Sequence, residues 1–219
     1  MKIEAFIFDL DGVIVSTDEH HYQAWKKLAA EEGIRYSREV NILQRGVSRM
    51  ESLEVMLAHS SHNYTHEEKL QLAARKNRYY QEMITTLRPS DRLCGVSIFL
   101  AELKEKGIAV AIGSSSKNAL PILKSIGMEN YFDAVADGTQ ITHSKPNPEV
   151  FLLAAQLLGI DPAHCIVVED ADAGIRAARA AGMGAFAVGA AHGNTQAHFS
   201  AETLAAVTCD QVFKHFQNL

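Results

Sequence analysis

The stretch Glu4–Gly12, which reads EAFIFDLDG, decides the fold of this chain. Its centre is a nearly continuous apolar run, as in strands that are buried on both faces of a parallel sheet. It ends with two carboxylates, Asp9 and Asp11, followed by Gly12. Because ligands of an open parallel sheet bind beyond the carboxyl ends of its strands, both acids lie where a site is expected.

Four more short apolar runs have the same character and predict further buried strands, at Ala109–Ser114, Asp133–Asp137, Cys165–Asp170 and Ala185–Ala190. Helical patterns lie between them, each followed by a glycine where a left-handed residue is expected after the helix. These helices are predicted at Ser97–Lys106, Lys117–Ile126, Glu149–Leu158 and Ala171–Ala181. The alternation predicts an α/β fold with a doubly wound, Rossmann-like parallel sheet.

Residues 16–92 differ from the rest, because no convincing strand pattern occurs there. Helical patterns run over about Asp18–Glu32, from Ser48 to about His59, and from Thr65 towards Leu87, and the last two open with capping boxes. We therefore predict a small helical cap domain, residues 16–92, inserted after the first strand. The α/β core domain is then formed by residues 1–15 and 93–219.

Composition and charge exclude several classes of protein. The chain has 219 residues, 47% hydrophobic and 21% charged, which is typical of a folded globular protein. A net charge of −5 offers no basic excess for nucleic acid, and no apolar run is long enough for a membrane span. Carboxylates within the first apolar stretch are foreign to a signal peptide, so a cytoplasmic location is expected. The cysteines are few and far apart, which favours reduced thiols, and we expect a monomer.

Chemistry-bearing residues also follow other predicted strands. Ser114–Asn118, which reads SSSKN, combines hydroxyls, an ammonium and the amides of a helix start, a set suited to phosphate. Glu169 and Asp170 end another strand, and adjacent acids there favour a hard cation such as Mg²⁺. Each pattern alone has an ordinary explanation, such as a polar turn, a serine N-cap or an acidic helix start. Lys145 lies in a proline-flanked loop and carries little weight by itself.

Taken together and in this order, the four signals resemble the motifs of the haloacid dehalogenase superfamily over the whole chain. Asp9-Leu10-Asp11-Gly12 is similar to the first motif, Ser114 to the second, Lys145 to the third and Glu169-Asp170 to the fourth. The helical insertion is similar to the small cap of that superfamily. The resemblance implies a phosphotransfer enzyme that forms an aspartyl-phosphate.

The resemblance also implies a role for each motif residue. Asp9 would be the nucleophile and Asp11 the general acid and base. Mg²⁺ would be held by Asp9, Glu169, Asp170 and the backbone carbonyl of Asp11, and would offset the repulsion between a carboxylate and a phosphate. Ser114 would hydrogen-bond the transferring group, and Lys145 would neutralise its charge.

Within the superfamily, the insertion is similar to that of hexose phosphomutases, which move a phosphoryl group between two positions of one sugar. The similar stretches are Thr17-x-x-x-His21-x-x-x-Trp25, Gly46-Val47-Ser48-Arg49-x-x-Ser52 and Arg75-Lys76-Asn77. A mutase of this kind passes through a bisphosphate, so it needs a second cationic site. By this resemblance, Arg49 with Ser116, Lys117 and Asn118 would supply that site, and Ser115 would join Ser114 and Lys145 at the first.

The same resemblance assigns further residues of the insertion. Substrate-binding residues would include Trp25, Gly46, Val47, Ser48, Ser52 and Lys76. Thr17 and His21 resemble hinge residues that couple closure of the cap to Asp11. For Trp25, an ordinary place in the core of the cap is equally expected. Ser16 stands where the superfamily commonly carries Asp; a serine can still cap the next helix, but a charge is lost near the hinge.

Three functions remain open. The first is a Mg²⁺-dependent mutase that interconverts β-D-glucose 1-phosphate and glucose 6-phosphate, with β-glucose 1,6-bisphosphate as intermediate and activator. The second is a sugar-phosphate phosphatase, in which water meets the phospho-aspartate formed on Asp9. The third, a non-catalytic sugar-phosphate sensor, is disfavoured because a binding protein needs neither Asp9 nor Asp11 as a reacting group. Glucose is inherited from the resemblance, and a related hexose or disaccharide phosphate also fits.

Overall fold

A computed structural model describes residues 2–44 and 47–218 of the chain. Its centre is a six-stranded parallel sheet with strand order β3-β2-β1-β4-β5-β6. The strands are β1 (Ala5–Phe8), β2 (Ala109–Gly113), β3 (Ala134–Ala136), β4 (Cys165–Glu169), β5 (Gly184–Ala187) and β6 (Phe199–Ser200). The five predicted strands are therefore present, and the predicted α/β class is confirmed.

The helices of the described residues are α1 (Asp18–Glu31), α2 (Arg38–Ile42), α3 (Arg49–Leu57), α4 (His66–Ile84), α5 (Val96–Glu105), α6 (Ala119–Ser125), α7 (Glu149–Leu158), α8 (Asp172–Ala180) and α9 (Cys209–Gln217). Phe6 and Phe8 of β1 pack in one apolar cluster with residues of α5, α6 and α9. Ile7 packs in a second cluster with residues of α7 and α8. Both faces of the sheet are thus covered, which explains the continuous apolar run of β1.

Helices α1–α4 form the insertion, which has an apolar cluster of its own. Trp25 and Leu28 of α1 pack there with Leu53 of α3 and Leu72 of α4. Both predicted capping boxes are present, at the start of α3 and of α4. In the first, Ser48 Oγ accepts a hydrogen bond from the amide of Glu51 at 3.3 Å. The helical insertion after the first strand is therefore confirmed.

The chain leaves and re-enters the α/β core at one place. The Leu93 amide donates a hydrogen bond to the Ile14 carbonyl at 2.9 Å. Next to it, Val15 and Arg92 form an isolated antiparallel bridge. The two connections therefore lie side by side, although the division into two domains at residues 15/16 and 92/93 stays a prediction.

The structure differs from the sequence analysis in several local respects. Helices α2 and α9 and strand β6 were not predicted, and α6 begins at Ala119 rather than Lys117. The N-cap residue of α1 is Thr17, and its side chain makes no capping hydrogen bond. The prediction that Ser16 can cap this helix is therefore wrong. The hydroxyl of Thr17 is bonded to Asp11 instead. No helix in the described ranges is long and apolar enough to cross a membrane.

Two glycines that flank α5 allow a test of backbone packing. Gly95 and Gly107 both have positive φ, 85° and 69°. A Cβ added at Gly95 would lie 2.2 Å from the Ala205 nitrogen, whereas one at Gly107 meets nothing within 4 Å. We expect Gly107→Ala to cost about 1 kcal/mol of unfolding free energy and Gly95→Ala about 3 kcal/mol. Urea denaturation measures both losses, and equal losses would contradict the close approach of Gly95 to Ala205.

Candidate active site

Lys145 lies at the centre of the site. Asp9 follows β1 and Glu169 ends β4, and these two strands are neighbours in the sheet. The Lys145 Nζ atom, from the loop before α7, lies 2.5 Å from Asp9 Oδ1 and 2.5 Å from Glu169 Oε1. All three side chains are buried. The loop lysine that carried little weight in the sequence therefore joins the ends of two strands.

Three carboxylates gather at this edge of the sheet. Ligand oxygens of Asp9, Glu169 and Asp170 all lie within 4.8 Å of one another. Burial raises the pKa of Asp9 to about 7, although the charge of Lys145 opposes the rise. Burial and the charge of Glu169 raise the pKa of Asp170 to about 8. Burial alone would lower the pKa of Lys145, but Asp9 and Glu169 together raise it above its ordinary value.

The donor set fits a hard divalent cation. Oxygen ligands are those that Mg²⁺ prefers, and a cation would relieve the repulsion between the crowded acids. Glu169 already accepts hydrogen bonds from Lys145 and from the Ala171 amide, the latter at 3.0 Å. In the described part of the chain nothing donates a hydrogen bond to Asp170, so its oxygens are the most available. Asp9 and Asp170 are therefore the stronger candidates for metal ligands, and Glu169 completes the group.

Two glycines make room for these carboxylates. A Cβ added at Gly12 would lie 2.0 Å from Asp170 Oδ2. One added at Gly174, in the first turn of α8, would lie 1.8 Å from Glu169 Oε1. From the sequence, Gly12 was predicted only to follow the two acids at the end of the first strand. The structure adds that any side chain at Gly12 or Gly174 would displace a carboxylate of the site.

Asp11 faces the insertion. Its Oδ1 atom accepts hydrogen bonds from the Thr17 amide at 2.9 Å and from the Thr17 hydroxyl at 2.5 Å. Its Oδ2 atom lies 3.6 Å from His21 Nε2. Burial would raise the pKa of Asp11, but His21 and Thr17 outweigh it and lower that pKa, so the carboxylate is ionised. The structure thus brings together Asp11 and both residues predicted to act at the hinge.

Lys76 continues this network into the insertion. Its Nζ atom lies 2.7 Å from His21 Nδ1 and sits between the rings of Trp25 and Tyr80, at 4.8 and 4.7 Å from their centres. Burial and the nearby charge of Arg49 hold the pKa of Lys76 well below its usual range. Tyr80 was missed by the sequence analysis, although its position four residues after Lys76 on α4 was a usable signal.

Hydrogen bonds from backbone amides to serine hydroxyls order the segment Ser114–Asn118, which follows β2. Ser114 Oγ accepts a hydrogen bond from the Ser116 amide at 3.2 Å, and Ser116 Oγ accepts one from the Asn118 amide at 3.1 Å. Ser115 Oγ accepts a longer one, 3.4 Å, from the Lys145 amide. A hydroxyl that accepts in this way still has a hydrogen to donate. Ser115 therefore contacts the backbone of Lys145, and Ser114 is buried, whereas Lys117 is exposed.

The side chain of Asn118 connects the core to the insertion. Its Nδ2 atom donates to Asn77 Oδ1 at 3.0 Å, and its Oδ1 atom accepts from Gln81 Nε2 at 3.1 Å. Asn77 and Gln81 are four residues apart on α4 and so share one face of that helix. Asn118 was predicted to bind phosphate, and the sequence contained no sign of its contact with α4.

The remaining predicted substrate-binding residues lie in the insertion. Val47, Ser48 and Arg49 are half-buried, while Trp25 and Ser52 are buried. Trp25 belongs to the apolar cluster of the insertion, which agrees with the alternative that it is a core residue of the cap. Gly46 lies outside the described residues. Contact of these residues with a sugar stays a prediction.

Comparisons with known proteins identify the family of the chain. The profile of the haloacid dehalogenase-like hydrolase family matches residues 3–182. A β-phosphoglucomutase from Bacillus subtilis (strain 168) is 44% identical over 193 residues, which cover 87% of this chain and 84% of that protein. The chain therefore belongs to the haloacid dehalogenase-like hydrolase family, and it is an enzyme.

Two further relatives are similar over most of the chain. The crystal structure of β-phosphoglucomutase from Clostridium difficile matches with a TM-score of 0.93 at 37% identity, over 99% of this chain and 98% of that one. A fructose-1-phosphate phosphatase from Escherichia coli (strain K12) is 35% identical over 184 residues, 84% of this chain and 95% of that protein. The chain is thus similar both to a mutase and to a sugar-phosphate phosphatase.

The metal site can be tested by binding alone. Asp170→Asn removes one of three converging carboxylates, and we expect Mg²⁺ to bind about 100-fold more weakly in a calorimetric titration. Asp172→Asn is the matched control, because Asp172 lies two residues further on and contacts Asn194 Nδ2 at 2.6 Å. The control should bind Mg²⁺ like the unmodified chain. An unchanged affinity in Asp170→Asn would remove Asp170 from the metal site.

Proposed function

We propose that this enzyme is a mutase that interconverts β-D-glucose 1-phosphate and glucose 6-phosphate. The observation that carries the proposal is a pair of basic side chains in the insertion, Arg49 and Lys76, in addition to the acidic group of the core. Arg49 begins α3 and is close enough to Lys76 that its charge lowers the pKa of Lys76. Within the described ranges neither cation forms a salt bridge with a carboxylate. Since a cation is unfavourable at a helix N-terminus, Arg49 is poorly placed for stability and suited to an anion from outside.

The catalytic cycle begins with a phosphoryl group on Asp9, taken from glucose 1,6-bisphosphate. The ionised Asp11 removes the proton from the 6-hydroxyl of β-glucose 1-phosphate as that oxygen attacks phosphorus, and the bond from phosphorus to Asp9 breaks. The product of this step is β-glucose 1,6-bisphosphate. An ionised Asp11, as its contacts with Thr17 and His21 favour, is the form that this step requires.

The second half of the cycle reverses these roles. The bisphosphate turns so that its other phosphate meets Asp9, whose carboxylate attacks phosphorus. The bond between phosphorus and the sugar C1 oxygen breaks, and that oxygen takes the proton held by Asp11. Glucose 6-phosphate leaves, and Asp9 carries the phosphoryl group again. Atoms and protons are therefore balanced over the two steps.

Electrostatic stabilisation comes from the sheet edge. Lys145 and Ser114 would neutralise and hydrogen-bond the oxygens of the transferring group. Asp9, Glu169 and Asp170 would hold Mg²⁺, which when bound screens the repulsion between carboxylate and phosphate. In both steps the phosphate that is not being transferred would be bound by Arg49 with Ser116, Lys117 and Asn118. Because Asn118 now bonds to α4, it would exchange these partners for the phosphate.

A sugar-phosphate phosphatase is the second candidate, and the similarity to the phosphatase from Escherichia coli favours it. The two activities share the attack by Asp9. They differ in whether water or a sugar hydroxyl then attacks the phosphorus of the phospho-aspartate. Exclusion of water while the insertion closes over the site would favour transfer to the sugar.

One assay separates the candidates. The enzyme receives β-glucose 1-phosphate, Mg²⁺ and a trace of glucose 1,6-bisphosphate, and both glucose 6-phosphate and free phosphate are measured. We expect mainly glucose 6-phosphate. Mainly free phosphate would contradict the mutase and support the phosphatase, and neither product would support a sensor. Asp9→Asn should abolish both products, because it removes the nucleophile.

The second phosphate site has its own test. Arg49→Ala should lower kcat/KM for β-glucose 1-phosphate about 100-fold, because a charge-assisted phosphate contact is lost. Hydrolysis of p-nitrophenyl phosphate, which has one phosphate, should change little. Arg38→Ala is the matched control, since Arg38 begins α2 as Arg49 begins α3 but is exposed and paired with Glu19. Equal losses for both substrates in Arg49→Ala would count against a second phosphate site.

A further inference from the structure

Tyr80 is fully buried at the junction between the insertion and the core, and none of the roles given above uses it. Its hydroxyl lies 2.8 Å from Thr17 Oγ1. Its ring stacks on the imidazole of His21, with the ring centres 4.0 Å apart. The ammonium of Lys76 lies 4.7 Å from the centre of the same ring. One side chain therefore contacts all three residues of the network that faces Asp11.

The direction of the hydrogen bonds in this network follows from charge. An ionised carboxylate only accepts, so the Thr17 hydroxyl donates its hydrogen to Asp11 Oδ1. That hydroxyl then has no hydrogen left for its second contact. In the bond between Thr17 and Tyr80, the tyrosine must therefore be the donor. The Tyr80 hydroxyl therefore donates to the Thr17 hydroxyl, which in turn donates to Asp11.

The ring of Tyr80 constrains the other side of Asp11. An ionised Asp11 only accepts, so His21 Nε2 carries the hydrogen that faces Asp11, and Nδ1 of the neutral ring then accepts from Lys76. Stacking on Tyr80 sets the plane of the imidazole and hence the direction of that hydrogen. The Lys76 side chain also packs over the face of the tyrosine ring. The hydroxyl of Tyr80 thus acts on Asp11 Oδ1 through Thr17, and its ring acts on Asp11 Oδ2 through His21.

We propose that Tyr80 is a positioning residue for Asp11. Through its hydroxyl it orients Thr17, and through its ring it orients the pair formed by His21 and Lys76. Asp11 is thereby held on the side of the insertion until closure presents the sugar oxygen. The inference rests on the proposed role of Asp11 as general acid and base.

Tyr80→Phe isolates the hydroxyl, because it keeps the ring, the stacking and the contact with Lys76. Turnover is followed on β-glucose 1-phosphate as the sum of glucose 6-phosphate and free phosphate, so the result does not depend on which reaction predominates. We expect kcat to fall about tenfold, as for one lost buried hydrogen bond, with KM changed less than about twofold. Rates are measured well below the thermal unfolding transition of each variant.

A second substrate separates proton transfer from the rest of the chemistry. Release of p-nitrophenol from p-nitrophenyl phosphate in the first turnover needs the nucleophile and metal, but its leaving group needs no proton. Tyr80→Phe should leave this first turnover unchanged. If Tyr80→Phe lowers it as much as turnover of the sugar phosphate, or lowers neither, the proposal is wrong.

The chain supplies a matched control in the neighbouring tyrosine. Tyr79 is also on α4, and its hydroxyl donates to the Glu31 carboxylate, with both oxygens at 2.9 Å. Tyr79→Phe removes a hydroxyl and a hydrogen bond from the same helix but touches no residue of the network. It should leave both reactions unchanged. A loss in Tyr79→Phe equal to that in Tyr80→Phe would mean that the effect comes from helix stability.

A double-mutant cycle tests whether Tyr80 acts through Thr17. Thr17→Val removes the hydroxyl that links Tyr80 to Asp11 and keeps the shape of the side chain. In this background Tyr80→Phe should cause no further loss of turnover, because the two residues act in series. Losses that multiply would show independent effects and would overturn the proposed route. A reaction that yields only free phosphate would refute the mutase but leave this cycle and its outcome intact.

Discussion

The ammonium of Lys145 between two buried carboxylates is the interaction on which the site depends. Its partners Asp9 and Glu169 lie 136 and 24 positions away in sequence. Removal of one member of such a group leaves an uncompensated buried charge, which typically costs about 3–5 kcal/mol. The three charges meet because β1 and β4 are adjacent and in register, with Phe8 opposite Val168. The order of the strands is therefore a requirement of the chemistry as well as of packing.

The core and the insertion carry groups of opposite charge. The core presents Asp9, Glu169 and Asp170, and the insertion presents Arg49 and Lys76. The proposed phosphorylated sugar would suit such a division, because one end would approach the acids while the other would need cations. The net charge of −5 would repel this ligand from a distance. At contact distance, the local arrangement of charges decides.

Much of the fold and of the site could be predicted from the sequence, because their signals are local. Apolar runs located five strands, and acids or hydroxyls at their ends located the site. Tyr80 could have been found from its position four residues after Lys76 on α4. The contact of Asn118 with Gln81 could not, since helical spacing does not reveal which face of α4 meets the core. Strand β6 has only two residues, too few for a pattern. Helix α9 is different, because Thr208 and Gln211 form a capping box that is recognisable in the sequence and predicts a helix start.

The hydrogen bond between Leu93 and Ile14 has a consequence for the history of this architecture. A segment whose two ends lie one hydrogen bond apart can be lengthened, shortened or exchanged without moving either neighbouring strand. The sheet and its charged edge then persist while the segment above them changes. An insertion attached in this way can change in sequence while the residues at the strand ends stay the same. A mutase and a phosphatase among the relatives of one chain are what such modular descent would produce.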